Sequence, residues 1–408
     1  MKKTLILLST IAFFIISCSE RSSEKTTLTW WHFWTDTNIR PVIEQIAADF
    51  ESTHSDVKVE LVDLTWADGH DKIAIAFSSG TGPDIVELGS DWIPEFSSTG
   101  HLYNITQLTD SIRNKYLMWE PGKYDQKYYA FPWILGTRVL FANLDLLEKT
   151  GYTRDYFPSN WNELLAASEK INGISEDIYG FGSNSAERHR LYKKFLPFMW
   201  SNGGRILSKN LDSCLFDSDE TLDALNFYKR LCQTGLTDTQ RRLEDAFLEG
   251  KIGFILSGDW LLKRISREKL NFAFSTNLIP GPDGMDKSIS FVGGEYLCIN
   301  SKSSQPELAF EFIKFVCSPE NQIKFCMQNN TPTPSSIDAA QDSVLLSQPH
   351  FETFITQIKN SRLPPPHPQW VYIEAEIEKA IEAVLYDSKT TEDAVNDAAC
   401  KIRELIAE

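Results

Sequence analysis

The chain has 408 residues and a formal net charge of −16, from 56 acidic and 40 basic side chains. That field repels phosphate backbones and anionic lipid surfaces, so nucleic acid is not an expected ligand. The length exceeds what one ordinary hydrophobic core holds, and two lobes are the expectation.

Residues 1–17 stand apart. Lys2 and Lys3 precede an apolar-rich run from Leu5 to Ile16 that closes at Ser17-Cys18 and turns polar at Ser19-Glu20-Arg21. Such a run makes about 18 Å of helix, short of a bilayer core, and reads as a signal peptide rather than a span. Removing it takes away Lys2 and Lys3 and brings the mature charge to −18. The cysteines after Cys18 are Cys214, Cys232, Cys298, Cys317, Cys326 and Cys400. They show no CxxC spacing and are read as small buried hydrophobes, with a Cys317–Cys326 bridge as the alternative. The histidines are scattered without HExxH, so no metal site is expected. GxSxG, P-loop and GxGxxG motifs are absent, so neither an enzyme nor a cofactor is expected.

After a polar tether to residue 26, Leu28 to Phe33 reads as a buried strand followed by a loop at Trp34 to Asn38. Val42, Ile43, Ile46, Ala47 and Phe50 recur at helical spacing, and Val57 to Val62 alternates as a second strand. A helix around Ile73 to Phe77 leads through Ser79-Gly80-Thr81-Gly82-Pro83-Asp84 to a third strand at Ile85 to Leu88. This order implies right-handed crossovers and a mostly parallel sheet. Ligands of such sheets sit off the carboxyl ends of the strands, at Trp34 to Asp36 and at Ser90-Asp91-Trp92. Asp91 either contacts ligand or caps the helix that carries Trp92.

Tyr128 to Asn143 is apolar, interrupted by Pro132 and Gly136, and reads as two extended runs joined at a bend where one lobe hands the chain to the other. Trp133 and Arg138 flank that bend and so stand near a cleft between lobes. Asn160 to Glu163 resembles a capping box opening a helix to Asn172, and Gly180 to Asn184 begins a loop rich in charge at Glu187, Arg188 and Arg190. Ala246 to Trp260 reads as a helix end, a strand and a tight turn into another helix, presenting backbone N–H groups and the Trp260 ring together. Phe291 to Ile299 is a strand whose Gly293-Gly294 pair lets backbone approach closely. Ser318 caps a later helix, and Trp370 to Glu408 is helical apart from a break near Ser388.

Of the tryptophans, Trp30, Trp31, Trp119, Trp161 and Trp200 fall in strand or helix patterns and read as core or support. Trp34, Trp92, Trp133, Trp260 and Trp370 fall at loop or turn positions, where a ring can pack on the C–H face of a sugar. Trp66, beside Asp68, is left unassigned.

Taken together, Ser79 to Val86, Tyr129-Ala130-Phe131-Pro132-Trp133, Ala246 to Lys251, Ser257-Gly258-Asp259-Trp260, Phe291-Val292-Gly293-Gly294 and Ala309 to Ile313 resemble the extracellular solute-binding proteins of ABC importers, in their sugar-binding group. Ile15-Ile16-Ser17-Cys18 resembles a bacterial lipobox, which implies a lipid on Cys18, the first residue of the mature chain. The resemblance implies an α/β, two-lobed periplasmic-binding fold of the second type, each lobe a mostly parallel sheet flanked by helices. Its hinge crossings are expected near Ile134, Lys287 and Ser336. The implied partition is a signal peptide over 1–17, a lipid-anchored tether over 18–26, a first lobe over 27–135 plus 288–335, and a second over 136–287 plus 336–408.

It also implies that Asp36, Asp91, Trp260, Glu295 and Trp370 face ligand. With the residues read above, the expected binding set is Trp34, Asp36, Asp91, Trp92, Trp133, Arg138, Trp260, Gly294, Glu295 and Trp370. Maltodextrin binders of the group carry an acidic residue near Gly136, so Arg138 alters the polarity of that wall. The implied function is capture of an oligosaccharide or polyol by a monomeric lipoprotein at the outer side of the membrane, for delivery to ABC permease subunits. The alternatives are a binder of another polar solute such as a glycerol phosphodiester, a glycan-acting lipoprotein enzyme, and a sensor subunit.

Overall fold

The computed structural model describes residues 25–184, 187–283, 288–331 and 333–407. Cys18, the signal segment and Lys287 lie outside the described residues. Thirteen strands are described: β1 (Thr26–His32), β2 (Val57–Asp63), β3 (Ile85–Gly89), β4 (Lys123–Tyr124), β5 (Lys127–Tyr128), β6 (Ala130–Thr137), β7 (Val139–Asn143), β8 (Tyr179–Asn184), β9 (Leu236–Asp238), β10 (Ile252–Ser257), β11 (Phe274–Asn277), β12 (Ser290–Ile299) and β13 (Ser361–Arg362). They form two large sheets and the small hairpin β4–β5.

In the first sheet β1 pairs in parallel with β2 and β3, while β12 runs antiparallel to β3 and β6 and parallel to β13. The second has the order β11-β7-β10-β8-β9, with antiparallel pairs at β7 and parallel pairs at β8. Both sheets are therefore mixed, where mostly parallel ones were expected. The βαβ pattern at the amino end is parallel, but β12 re-enters the first sheet after the chain has built the second and runs against β3 and β6.

The helices form because their apolar residues share one face. In Arg40–Thr53, Ile43, Ile46, Ala47 and Phe50 are buried at the i, i+3, i+4, i+7 spacing. Ser218 caps Asp219–Cys232 by accepting from the Thr221 amide, and Ser318 caps Pro319–Asn329 through Asn321. Around Asn160 the carboxylate of Glu163 reaches the Ser159 amide and hydroxyl, one residue before the cap.

Two local expectations fail. β6 runs unbroken through Pro132 and Gly136 to Thr137, and β7 opens in the other sheet at Val139, so the chain passes between sheets at Arg138. Pro132 is tolerated because the register between β12 and β6 shifts at Glu295/Tyr296, beside its pairing with Tyr296. The segment around Pro334 runs beside this crossing, with the Leu135 amide donating to Thr333 O at 2.8 Å and the Ser335 amide to Trp133 O at 3.1 Å. The second failure is Gly180 to Asn184, which is strand β8 and not a loop. A Cβ at Gly180 would stand 2.0 Å from the Ser168 carbonyl oxygen, so that glycine lets a helix and a strand touch. Cys317 and Cys326 are free, buried thiols, not a bridge.

Candidate functional site

A cavity of about 500 Å³ opens where the carboxyl ends of the first sheet face the second lobe. Trp34 and Asp36 reach it from the loop after β1, Asp91 from the turn after β3, and Gly294 and Glu295 from β12. Arg138 enters at the crossing and Trp260 at the start of helix Trp260–Glu268. The sequence expectation thus includes seven residues that meet around one cavity.

Trp92, Trp133 and Trp370 do not line it. Each is 1% exposed or less and packed in a core. Trp92 lies behind Phe33 and Trp66, with ring centroids 5.9 and 5.3 Å away. Trp133 lies behind Trp34, at 6.1 Å, and against Phe325, at 4.9 Å. Trp370 packs edge-on to Tyr192 at 5.6 Å within the second-lobe core. Trp66, left unassigned by sequence, lines the cavity and stacks on Phe33 at 4.1 Å.

The Trp260 ring is held in place before any ligand arrives. Its indole N–H donates to Glu244 Oε1 at 2.5 Å, and the Arg138 guanidinium lies 4.6 Å from its centroid. Gly258 makes room for it, since a Cβ there would lie 1.9 Å from the indole carbons. Gly294 serves a different end, since a Cβ there would meet Ile134 O at 2.4 Å, so the glycine lets β12 close onto β6.

Several cavity-lining charges already bridge the lobes. Asp91 accepts from the Tyr192 hydroxyl at 2.6 Å and pairs with Lys193 at 3.0 Å. Burial works to raise its pKa, but Lys193 and Tyr192 outweigh it and the carboxyl is held low. Asp36 pairs with Lys263 and Arg267, each at 3.4 Å. Burial opposes ionisation there too, yet the Asn38 amides and Lys263 bring it down to about 2. Asp71 and Arg188 form a further bridge at 3.0 Å.

Glu295 and Asp259 behave differently. Burial pushes Glu295 up to about 7 and Asp259 up to about 6, and Glu295 accepts no hydrogen bond from the described residues. Behind the cavity, Glu374 of helix Trp370–Leu385 bonds to the His189 ring, and Glu378 accepts the amides of Arg190 and Tyr192 at 3.0 and 3.3 Å. Burial raises Glu374 to about 8 and Glu378 to about 7. Acids with raised pKa hold protons in the folded state that the unfolded chain releases, so stability falls as pH rises through these values. Burial lowers His32 and His189 to about 4, which has the opposite sign and weakens the fold as pH drops below the ordinary histidine value. Above the ordinary histidine value the acids alone of these groups still titrate, so melting temperature should decline from pH 6.5 to 8.5. A melting temperature still rising from pH 6.5 to 8.5 would contradict these assignments.

Sequence reasoning passed over Glu244, Lys194 and Phe33. Lys194 had a signal, a charge set against the apolar run Phe195 to Trp200. Glu244 had none, because its role depends on a ring that lies 16 positions away in sequence.

The family described as bacterial extracellular solute-binding protein matches residues 36–323. The maltodextrin-binding protein of Bacillus subtilis strain 168 is 24% identical over 387 residues, covering 90% of this chain and 87% of its own. The galactooligosaccharide-binding protein of the same strain is 26% identical over 381 residues, with the same coverage. The crystal structure of an ABC transporter solute binding protein from Thermotoga lettingae TMO, bound with α-D-tagatose, superposes with a TM-score of 0.86 at 24% identity, covering 94% of this chain and all of that one. That likeness establishes the two-lobed α/β fold with mixed sheets. With a two-lobed frame, a cavity between the lobes and a family match across most of its length, the chain belongs to the bacterial extracellular solute-binding proteins.

Proposed function

We propose that the chain captures a carbohydrate, an oligosaccharide or polyol, between its lobes and delivers it to the subunits of an ABC permease. The observation that carries this reading is the cavity itself. Rings at Trp34, Trp66 and Trp260 can take sugar C–H faces, and carboxyl, amide and cationic groups alternate between them to meet hydroxyls. The names of the maltodextrin and galactooligosaccharide relatives and the tagatose in the similar structure support it. Closure about the strands that cross at Arg138 would bury the ligand and shape the face the permease reads.

A thermal-shift screen against a carbohydrate panel tests this. A true ligand at one hundred times its dissociation constant adds about 2.7 kcal/mol of stability. A panel of hexoses, polyols and oligosaccharides that leaves the melting temperature unmoved would overturn the proposal. The reading also has the protein bind without chemistry, so the bound glycan should be recovered unaltered; reducing ends that accumulate with time, and cease in Glu295→Gln, would refute that part.

The anchor is a separate matter, resting on the short apolar run that ends at Ser17-Cys18. Cys18→Ala should move the protein from the membrane pellet to the soluble fraction. A variant that still pellets would refute lipidation at this residue.

A further inference from the structure

On the reading that the cleft takes a carbohydrate, we propose that the saccharide carries a negatively charged group, held at the inner wall by Arg138 and Lys194. The charge balance of the cavity runs against that of the chain. Acidic side chains outnumber basic ones overall, 56 to 40, whereas the cavity is lined by nine Arg and Lys side chains and five Asp and Glu.

Most of the outer cations have partners: Arg188 has Asp71, Lys193 has Asp91, and Lys263 and Arg267 share Asp36. The inner two do not. Arg138 has no carboxylate within ion-pair distance among the described residues. Its Nη1 donates only to the carbonyl of Thr137, at 3.2 Å, and its buried Nε has no acceptor. Lys194 is 3% exposed, and its Nζ, which carries three donors, gives one hydrogen bond, to Leu256 O at 2.7 Å. Both cations approach one ring, Arg138 at 4.6 Å and Lys194 at 5.8 Å from the Trp260 centroid, so one group resting there is within reach of both.

Buried, the Lys194 ammonium is pushed well below its ordinary pKa, first by desolvation and then by Arg138. The carboxyls that face this pair are Asp259 and Glu295 beside Arg138 and Glu244 and Glu187 beside Lys194, and none of them comes within ion-pair distance of either side chain among the described residues. A neutral sugar would bury Arg138 and Lys194 without adding a counter-charge, and so would leave unrelieved the desolvation and repulsion that already disfavour the Lys194 ammonium. A carboxylate or phosphate between them would supply one, with charge-assisted hydrogen bonds.

Calorimetric titration of the intact mature protein with matched pairs tests this: galactotriose against trigalacturonate, and glucose against glucose 6-phosphate. The charged member of at least one pair should bind at least tenfold tighter than its neutral counterpart, and which pair shows it identifies the anion. The preference should shrink between 50 and 500 mM NaCl, and in Arg138→Gln and Lys194→Met. Should either variant unfold, the salt dependence and the wild-type pairs decide alone. Neutral members binding as tightly as charged ones would overturn the charge proposal and leave carbohydrate capture standing. No binding by either member of both pairs would overturn the charge proposal as well, and a negative carbohydrate panel alongside it would remove the capture reading too.

Discussion

Replacing Trp370 with Ala should destabilise the unliganded protein by about 3–5 kcal/mol, the range for truncating a fully buried aromatic residue. The ring is 1% exposed and packs edge-on to Tyr192. Tyr192 in turn donates to Asp91 across the lobes, so the cavity left by Trp370 would also loosen that bridge. The urea midpoint of the second lobe should fall sharply. An unchanged midpoint accompanied by weakened sugar binding would show instead that Trp370 is a ligand contact, as the family resemblance implied.

Trp260→Ala should do the reverse. The ring lies in the cavity, partly exposed, packed against the edge of a core rather than inside it, and is oriented by Glu244 and Arg138. Its loss should weaken ligand binding by about 1–3 kcal/mol, the value of an apolar face covered on binding, and leave the unliganded midpoint nearly unmoved. Gly258→Ala should follow it in direction, because the added methyl occupies the place of the ring. Since the ring is fixed beforehand, the loss should appear as faster ligand release rather than slower capture. Full affinity in a folded Trp260→Ala protein would remove the residue from the site.

These two tryptophans show what the sequence can and cannot carry. Both sit where a turn meets a helix, and local pattern treats them alike. What separates them is tertiary: helix Trp370–Leu385 lays its first turn on the second-lobe core, whereas Trp260 points off the end of β10 into the gap. Trp92 and Trp133 were misplaced for the same reason, each lying one layer behind a ring that does face the cavity. Strand ends were better guides, because side chains just past the carboxyl ends of β1 and β3 must leave the sheet toward the cleft, and Asp36 and Asp91 do. The βαβ order of the first lobe was legible from periodicity alone. The return of β12 to the first lobe came from the family resemblance and not from periodicity, and its antiparallel pairing with β3 was not read at all, since a strand so far downstream carries no local sign of its neighbour or direction. β8 was lost because its glycines, needed for close approach, look like loop residues.

Backbone hydrogen exchange with and without a saturating carbohydrate tests the central claim most directly, that ligand lies between the lobes and touches both. Protection should rise together at Ser90 to Trp92 and Gly293 to Glu295 on one wall and at Gly258 to Trp260 and Arg190 to Lys194 on the other. Protection confined to one lobe, or found only outside the cleft, would contradict it.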